Sequence, residues 1–81
     1  MNNDQILDRL QPIFQQLFER PDLMVDRTTT AQAVDGWDSL MHVNLIAEIE
    51  EAFGVRFALG ELEELMCVGD MVDLIGRKSA D

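Results

Sequence analysis

The stretch SLMHVNLIAEIEEAF, residues 39–53, lies between Asp38 and Gly54 and constrains the fold more than any other part of the chain. An aspartate before such a run caps a helix through its carboxylate. A glycine after it stops the helix, because glycine enters the left-handed region without steric cost. At about 100° per residue, Val43, Leu45, Ile46, Ile49 and Phe53 fall on one broad face. Asn44, Glu48 and Glu51 lie opposite, flanked by Leu40 and Met41. The spacing predicts a helix over 39–53 with one face in a core. Its acidic face reads equally as a docking surface with an apolar rim or as a solvated face with two exposed apolar residues.

A half-apolar helix needs partners to cover it. In residues 2–18, Ile6, Leu10, Ile13 and Leu17 recur at helical spacing, with Leu7, Phe14 and Phe18 beside them. Asn3 or Asp4 is expected to cap this first helix. Pro12 removes a backbone donor and crowds the preceding turn, so a kink or restart is expected there. GELEEL, residues 60–65, predicts one or two helical turns with Leu62 and Leu65 buried, after Phe57 and Leu59 facing inward. GDMVDLIGRK, residues 69–78, predicts a last helix that packs Met71, Val72, Leu74 and Ile75. Asp70 complements its positive start, and Arg77 and Lys78 its negative end.

β-branched alternation is weak throughout, so no strand of consequence is expected. The fold class is therefore all-α, a four-helix bundle of three main helices and a short one. It forms a single domain over residues 1–81, with residues 1–2 and 78–81 expected to fray. A long loop after the first helix, RPDLMVDRTTTAQAVDGW, must cross the bundle. Leu23, Val25 and Val34 are expected to pin it to the core, and Thr28, Thr29 and Thr30 to form a short turn.

Size and charge narrow the function. With 81 residues, 47% of them hydrophobic, the chain can build a core. It is short for a deep enzymatic cleft as well, which points to a binding or carrier module. Six basic against sixteen acidic residues give a net charge of −10. That argues against nucleic acid and anionic membrane surfaces. The complement is a basic protein surface, unless the charge serves solubility alone. Cys67 is the one cysteine, so no internal disulfide forms and zinc spacing is absent, in keeping with a reducing cytoplasm. MNNDQILDRL lacks the basic and apolar regions of a signal peptide, and no apolar run approaches the ~20 residues of a membrane span. The carboxylates lack a calcium-loop pattern, so no metal site is expected.

Ser39 opens the central helix and invites three readings. A nucleophilic serine needs a base, an orienting acid and an oxyanion hole. His42 is the sole histidine; it points toward the apolar side and has no evident acid to orient it. GWDSL is also not the G-x-S-x-G elbow. His42 reads instead as a half-buried helix residue whose polar tip is satisfied locally. Capping explains Asp38 or Ser39 without further function. The same position also favours an anionic ester on Ser39, at the positive end of the helix. If Asp38 caps, the Ser39 hydroxyl stays free, and helix electrostatics alone accepts a simple phosphate or a larger phosphodiester.

GWDSLMHVNLIAEIEEAFGVRF, residues 36–57, followed by VGDMVDLI, residues 68–75, resembles the acyl carrier proteins of the phosphopantetheine-attachment family. The likeness is good from 31 to 76 and loose over the first helix. It implies a four-helix bundle, not an enzyme, with 4′-phosphopantetheine esterified to Ser39. The arm would carry acyl groups as thioesters between enzymes of fatty acid, polyketide or related biosynthesis. It implies that Asp38 assists the magnesium site of the phosphopantetheinyl transferase as well as the helix start. Leu40, Met41, Asn44, Glu48 and Glu51 would dock basic patches on the transferase and on acyl-handling enzymes. Leu45, Ile46, Ile49, Phe53, Phe57, Leu65, Val72 and Ile75 match the family's core and acyl-pocket positions. A cytoplasmic monomer is implied.

Some residues depart from the family pattern. Met41 and Asn44 stand where fatty-acid carriers are commonly acidic, and Trp37 resembles specialised carriers. Cys67 replaces a customary Ser or Thr cap, so the last helix is expected to fray at its start. The alternative is an acyl-carrier-like interaction module that has lost its load and keeps Asp38-Ser39-Leu40 only as a helix start.

Overall fold

The structure, a computed structural model, describes residues 2–79. Four helices run in order: α1 (Asn3–Leu17), α2 (Ser39–Phe53), α3 (Leu59–Glu63) and α4 (Val68–Lys78), with a 3₁₀ turn at Ala31–Ala33 in the long loop. Among the described residues β pairing is limited to one isolated antiparallel bridge, Thr30 to Cys67. The all-α bundle expected from periodicity is the fold observed.

α1 lies against both α2 and α4. Ile6, Leu10 and Phe14 recur every four residues on one stripe and are fully buried. They meet Leu45, Ile46 and Ile49 of α2 and Val68, Met71, Val72 and Ile75 of α4 in one apolar cluster. This continuous stripe carries α1 through Pro12 as a single element, without a restart. The helix begins one residue earlier than expected. The Asn2 side chain, not that of Asn3 or Asp4, accepts from the Gln5 amide at 2.8 Å, and the Gln5 side-chain oxygen accepts from the Asn2 amide at 3.0 Å. That reciprocal cap fixes the first turn.

Of the residues expected to fray, Asn2 and Lys78 make side-chain bonds. Asn2 is held by the cap just described. Lys78 closes α4 and reaches Glu61 of α3 at 2.8 Å. Residues 1, 80 and 81 lie outside the described residues.

α2 begins and ends where the sequence places it. Val43, however, is 61% exposed rather than in the core. The buried stripe is the narrower Leu45, Ile46 and Ile49, with Phe53 half-buried beside it. Val43 is rotated about 110° from the centre of that stripe. Leu59 is likewise 75% exposed, because it opens α3 on the solvent side. Leu62, Leu65 and Phe57 pack against the core while remaining partly exposed.

The loop between α1 and α2 is pinned at both edges. Val25 and Val34 are buried and Leu23 packs behind them, as expected. Gln11 of α1 mimics a neighbouring strand: its amide donates to the Val25 carbonyl at 2.6 Å and accepts from the Val25 N–H at 2.9 Å. Gln15 adds a bond to the Leu23 carbonyl at 2.9 Å. The threonines form the anticipated turn around Asp26, whose carboxylate accepts from the Thr28 amide at 2.8 Å and the Thr28 hydroxyl at 2.6 Å. Those bonds, the hydroxyl's first, hold the Asp26 carboxyl below its ordinary pKa.

The start of α4 is the main departure from expectation. Cys67 occupies the cap position and makes no side-chain capping bond. The helix is nevertheless secured, because the loop caps it from outside. The Val68 amide donates to the Thr29 carbonyl at 2.8 Å and the Gly69 amide to the Arg27 carbonyl at 2.9 Å. Asp70 reaches back to the Met66 amide at 3.0 Å. Two orphan donors of the helix end thus find backbone acceptors.

Candidate functional site

The start of α2 has three adjoining residues in separate roles. The Asp38 carboxylate accepts from the Met41 amide at 2.9 Å, and the Asp38 carbonyl accepts from the His42 amide at 2.9 Å. Asp38 is therefore the cap. Ser39 is exposed, and its hydroxyl makes no hydrogen bond among the described residues. The first amides of a helix have no partner within it. Those of Ser39 and Leu40 find none in the loop either, among the described residues. An anion on the Ser39 oxygen would sit at this donor-rich, positive helix end.

A groove of about 430 Å³ opens beside Ser39. Asp38, Ser39 and His42 form one wall, Leu62 and Leu65 the other, and Trp37 and Ala31 the end. Trp37 is set there by an aromatic cluster. Its ring meets Phe14 edge-on at 5.3 Å and Phe18 at 6.1 Å. Gly36 makes the turn into it at φ 88°, a region open to glycine. The indole N–H then donates to His42 Nδ1 at 3.1 Å. Burial lowers the His42 pKa, and the nearby Leu62 backbone only partly opposes that shift. His42 is thus the half-buried, locally satisfied residue expected. With Nδ1 accepting from Trp37 and no hydrogen bond to the Ser39 hydroxyl among the described residues, it is not set as a base for Ser39.

The expected docking residues share one solvent-facing side. Leu40 is 70% exposed, and Asn44, Glu48 and Glu51 are exposed with it, while Met41 is half-buried at the edge. Val43 joins this face. Glu50 turns away and accepts from the Phe57 amide at 2.8 Å. Glu61 is held between the Ala58 amide and Lys78, and the Lys78 bond chiefly keeps its carboxyl below the usual pKa. Of the expected pocket residues, Leu45, Ile46, Ile49, Val72 and Ile75 are buried, and Phe53, Phe57 and Leu65 line the half-exposed margin.

Sequence reasoning missed the part Trp37 plays. A lone tryptophan next to the helix cap, five residues from the lone histidine, was the available signal. Periodicity does not register it, because Trp37 lies in the loop.

No helix among the described residues is long and apolar enough to cross a membrane. Residues 8–75 match the family described as phosphopantetheine attachment site. An acyl carrier protein of Thermosynechococcus vestitus is 37% identical over 81 residues, covering 99% of each chain. The solution NMR structure of a holo acyl carrier protein from Geobacter metallireducens superposes with a TM-score of 0.86 at 47% identity, covering 91% of this chain and 85% of that one.

Proposed function

The chain belongs to the acyl carrier protein family, with its phosphopantetheine-attachment domain, and we propose that Ser39 is the residue to which the arm is joined. The protein is a carrier and not an enzyme. Its prosthetic group is a covalent 4′-phosphopantetheine. When attached, that group supplies a thiol that holds acyl groups as thioesters.

One observation carries the assignment of Ser39: its hydroxyl is exposed and unbonded while Asp38 does the capping. The serine is free to become an ester without loss of the helix start. The unpartnered amides of Ser39 and Leu40 favour the phosphate that results. The adjoining groove gives the near end of the arm a partly apolar wall to rest on.

The exposed side of α2 is the proposed docking face. Leu40 and Val43 supply apolar contact, and Glu48 and Glu51 supply charge for basic patches on the transferase and on acyl-handling enzymes. Long-range attraction of this kind acts mainly on association rate and weakens with salt. Met41 and Asn44 lower the charge of this face relative to an all-acidic one, which favours a dedicated partner set. The cytoplasm is the proposed location.

Intact mass after incubation with a phosphopantetheinyl transferase and coenzyme A tests the assignment. The wild type should gain one phosphopantetheine, and Ser39→Ala should gain none. A Ser39→Ala protein that still gains the mass overturns it.

A further inference from the structure

Trp37 and His42 are the sole tryptophan and histidine of the chain, and in sequence they stand on either side of Ser39. Asp38 caps α2. Trp37 is therefore the residue before the cap, and His42 the fourth residue of the helix. In many helices these two positions hold apolar side chains that pack together and fix the angle at which the chain enters. Here the same pair is closed by a directional bond as well. The rings lie 6.0 Å apart and within 21° of parallel. The indole N–H donates to His42 Nδ1 at 3.1 Å.

This staple has a firm base on one side. Trp37 is buried against Phe14 and Phe18 of α1. Its amide donates to the Val34 carbonyl at 3.2 Å, and the Asp38 amide donates to the Gly36 carbonyl at 3.1 Å. The chain entering α2 is thus tied to α1 through Trp37. The first turn of α2 is tied to the same point through His42. Ser39 has no anchor of its own, because its hydroxyl is exposed and makes no hydrogen bond among the described residues. Where that oxygen points is inherited from the residues on either side.

We propose that His42 is a positioning residue for attachment of the arm: its bond to Trp37 fixes the entry into α2 and so aims the Ser39 hydroxyl at the transferase. The inference rests on the arm being joined at Ser39. Loading forms a bond from the Ser39 oxygen to a phosphorus of coenzyme A and breaks the pyrophosphate P–O bond. Adenosine 3′,5′-bisphosphate leaves, and the hydroxyl proton passes to a base on the transferase or to water. A nucleophile that must meet phosphorus in line loses rate when its orientation is spread over several conformers. The Asp38 cap holds the helix, but the entry angle is left to the staple. Without the Trp37 bond, fewer molecules present the hydroxyl correctly, and the apparent affinity for the transferase falls by that fraction. One net hydrogen bond changes such an equilibrium by about fivefold.

The test measures kcat and KM for loading of the full chain by a phosphopantetheinyl transferase with coenzyme A, each protein being assayed well below its thermal midpoint. His42→Leu keeps an apolar contact on a good helix former but has no acceptor. Trp37→Phe keeps a ring against Phe14 and Phe18 but has no donor. Each should raise KM by about fivefold with little change in kcat. The double variant should lose no more than either alone, because both changes remove one and the same bond. His42→Asn returns an acceptor on a short side chain and should recover most of the loss. It should also restore the Trp37 emission maximum, which His42→Leu should shift. A histidine that only stabilised the fold would lower the thermal midpoint and leave KM unmoved. A wild-type KM in His42→Leu, or single losses that add in the double variant, overturns the inference and leaves the Ser39 assignment standing. Absence of any mass gain in the wild type removes both.

Discussion

Replacing Gly69 with alanine places a methyl carbon 2.8 Å from the Arg27 carbonyl oxygen and 3.3 Å from the Arg27 Cβ. In an ordinary helix interior the same change stabilises by about 1 kcal/mol. Here ordinary contact begins near 3.4 Å, so the loop carbonyl must retreat by about 0.6 Å. The 2.9 Å bond from the Gly69 amide then stretches to about 3.5 Å, past the useful range. The Val68 bond to Thr29, at 2.8 Å, belongs to the same stretch of loop and weakens with it. Both residues are buried, and each amide left without an acceptor costs about 1–3 kcal/mol. After the helix gain is subtracted, the net loss is about 1–5 kcal/mol, centred near 2–3 because the Val68 bond is weakened rather than lost. For a domain of this size that lowers the thermal midpoint by about 10–20 °C. Gly76→Ala is the control in the same helix. Its new methyl would meet Ile6 at 3.5 Å and Asn3 at 3.6 Å, which is ordinary contact. It should gain about 0.5–1 kcal/mol. Urea unfolding followed by circular dichroism measures both variants. A Gly69→Ala protein as stable as the wild type would refute the idea that the loop caps α4.

Asp38→Ala should cost about 1 kcal/mol through loss of the cap, whereas Ser39→Ala should leave the unfolding midpoint unchanged; equal losses would contradict the division of roles between them. Gln11→Ala should cost about 1–3 kcal/mol by unpairing both backbone polar groups of Val25, read by denaturant titration, and a neutral outcome would mean that the loop holds without it. Glu48→Lys and Glu51→Lys should slow loading by the transferase at low salt with little change in thermal midpoint, and rates equal to wild type at matched ionic strength would remove the docking role. For pH, the His42 pKa is depressed in the folded protein, so the unfolded chain binds the proton more readily. The associated stability is complete above the ordinary histidine value of 6.5 and is lost as pH falls through the lower folded value. Relative to His42→Gln, the wild type should therefore weaken between pH ~7 and pH ~5, and parallel stability curves would exclude the effect.

The helices were legible because each writes its buried stripe at a period the chain itself displays. Ile6, Leu10 and Phe14, or Leu45 and Ile49, need no knowledge of their neighbours to be read. The Asp38 cap and the Gly54 stop are local chemistry too. What escaped was set by distant contacts. Val43 looks as apolar as Ile46 in sequence, yet the width of the buried stripe is fixed by how closely α1 lies on α2. Cys67 promised a poor helix start, and locally it is one. Its remedy comes from carbonyls of the loop, whose position no property of residues 67–69 announces. The serine and its motif were evident, whereas the Trp37–His42 bond depends on a loop conformation set by Phe14, Phe18 and Gly36.

The junction of residues 27–30 with residues 67–69 closes a ring of chain that contains α2, α3 and Ser39. Closing so long a ring carries an entropic toll that local helix turns do not, and contacts of that range form late in folding. α2 by itself is fifteen residues, a length at which isolated helices are marginal in water. A peptide of residues 36–57 would therefore display the whole motif on a helix that is marginal by itself. The full chain thus holds the helix that presents Ser39 partly by a clasp made far from it, between residues 27–30 and residues 67–69.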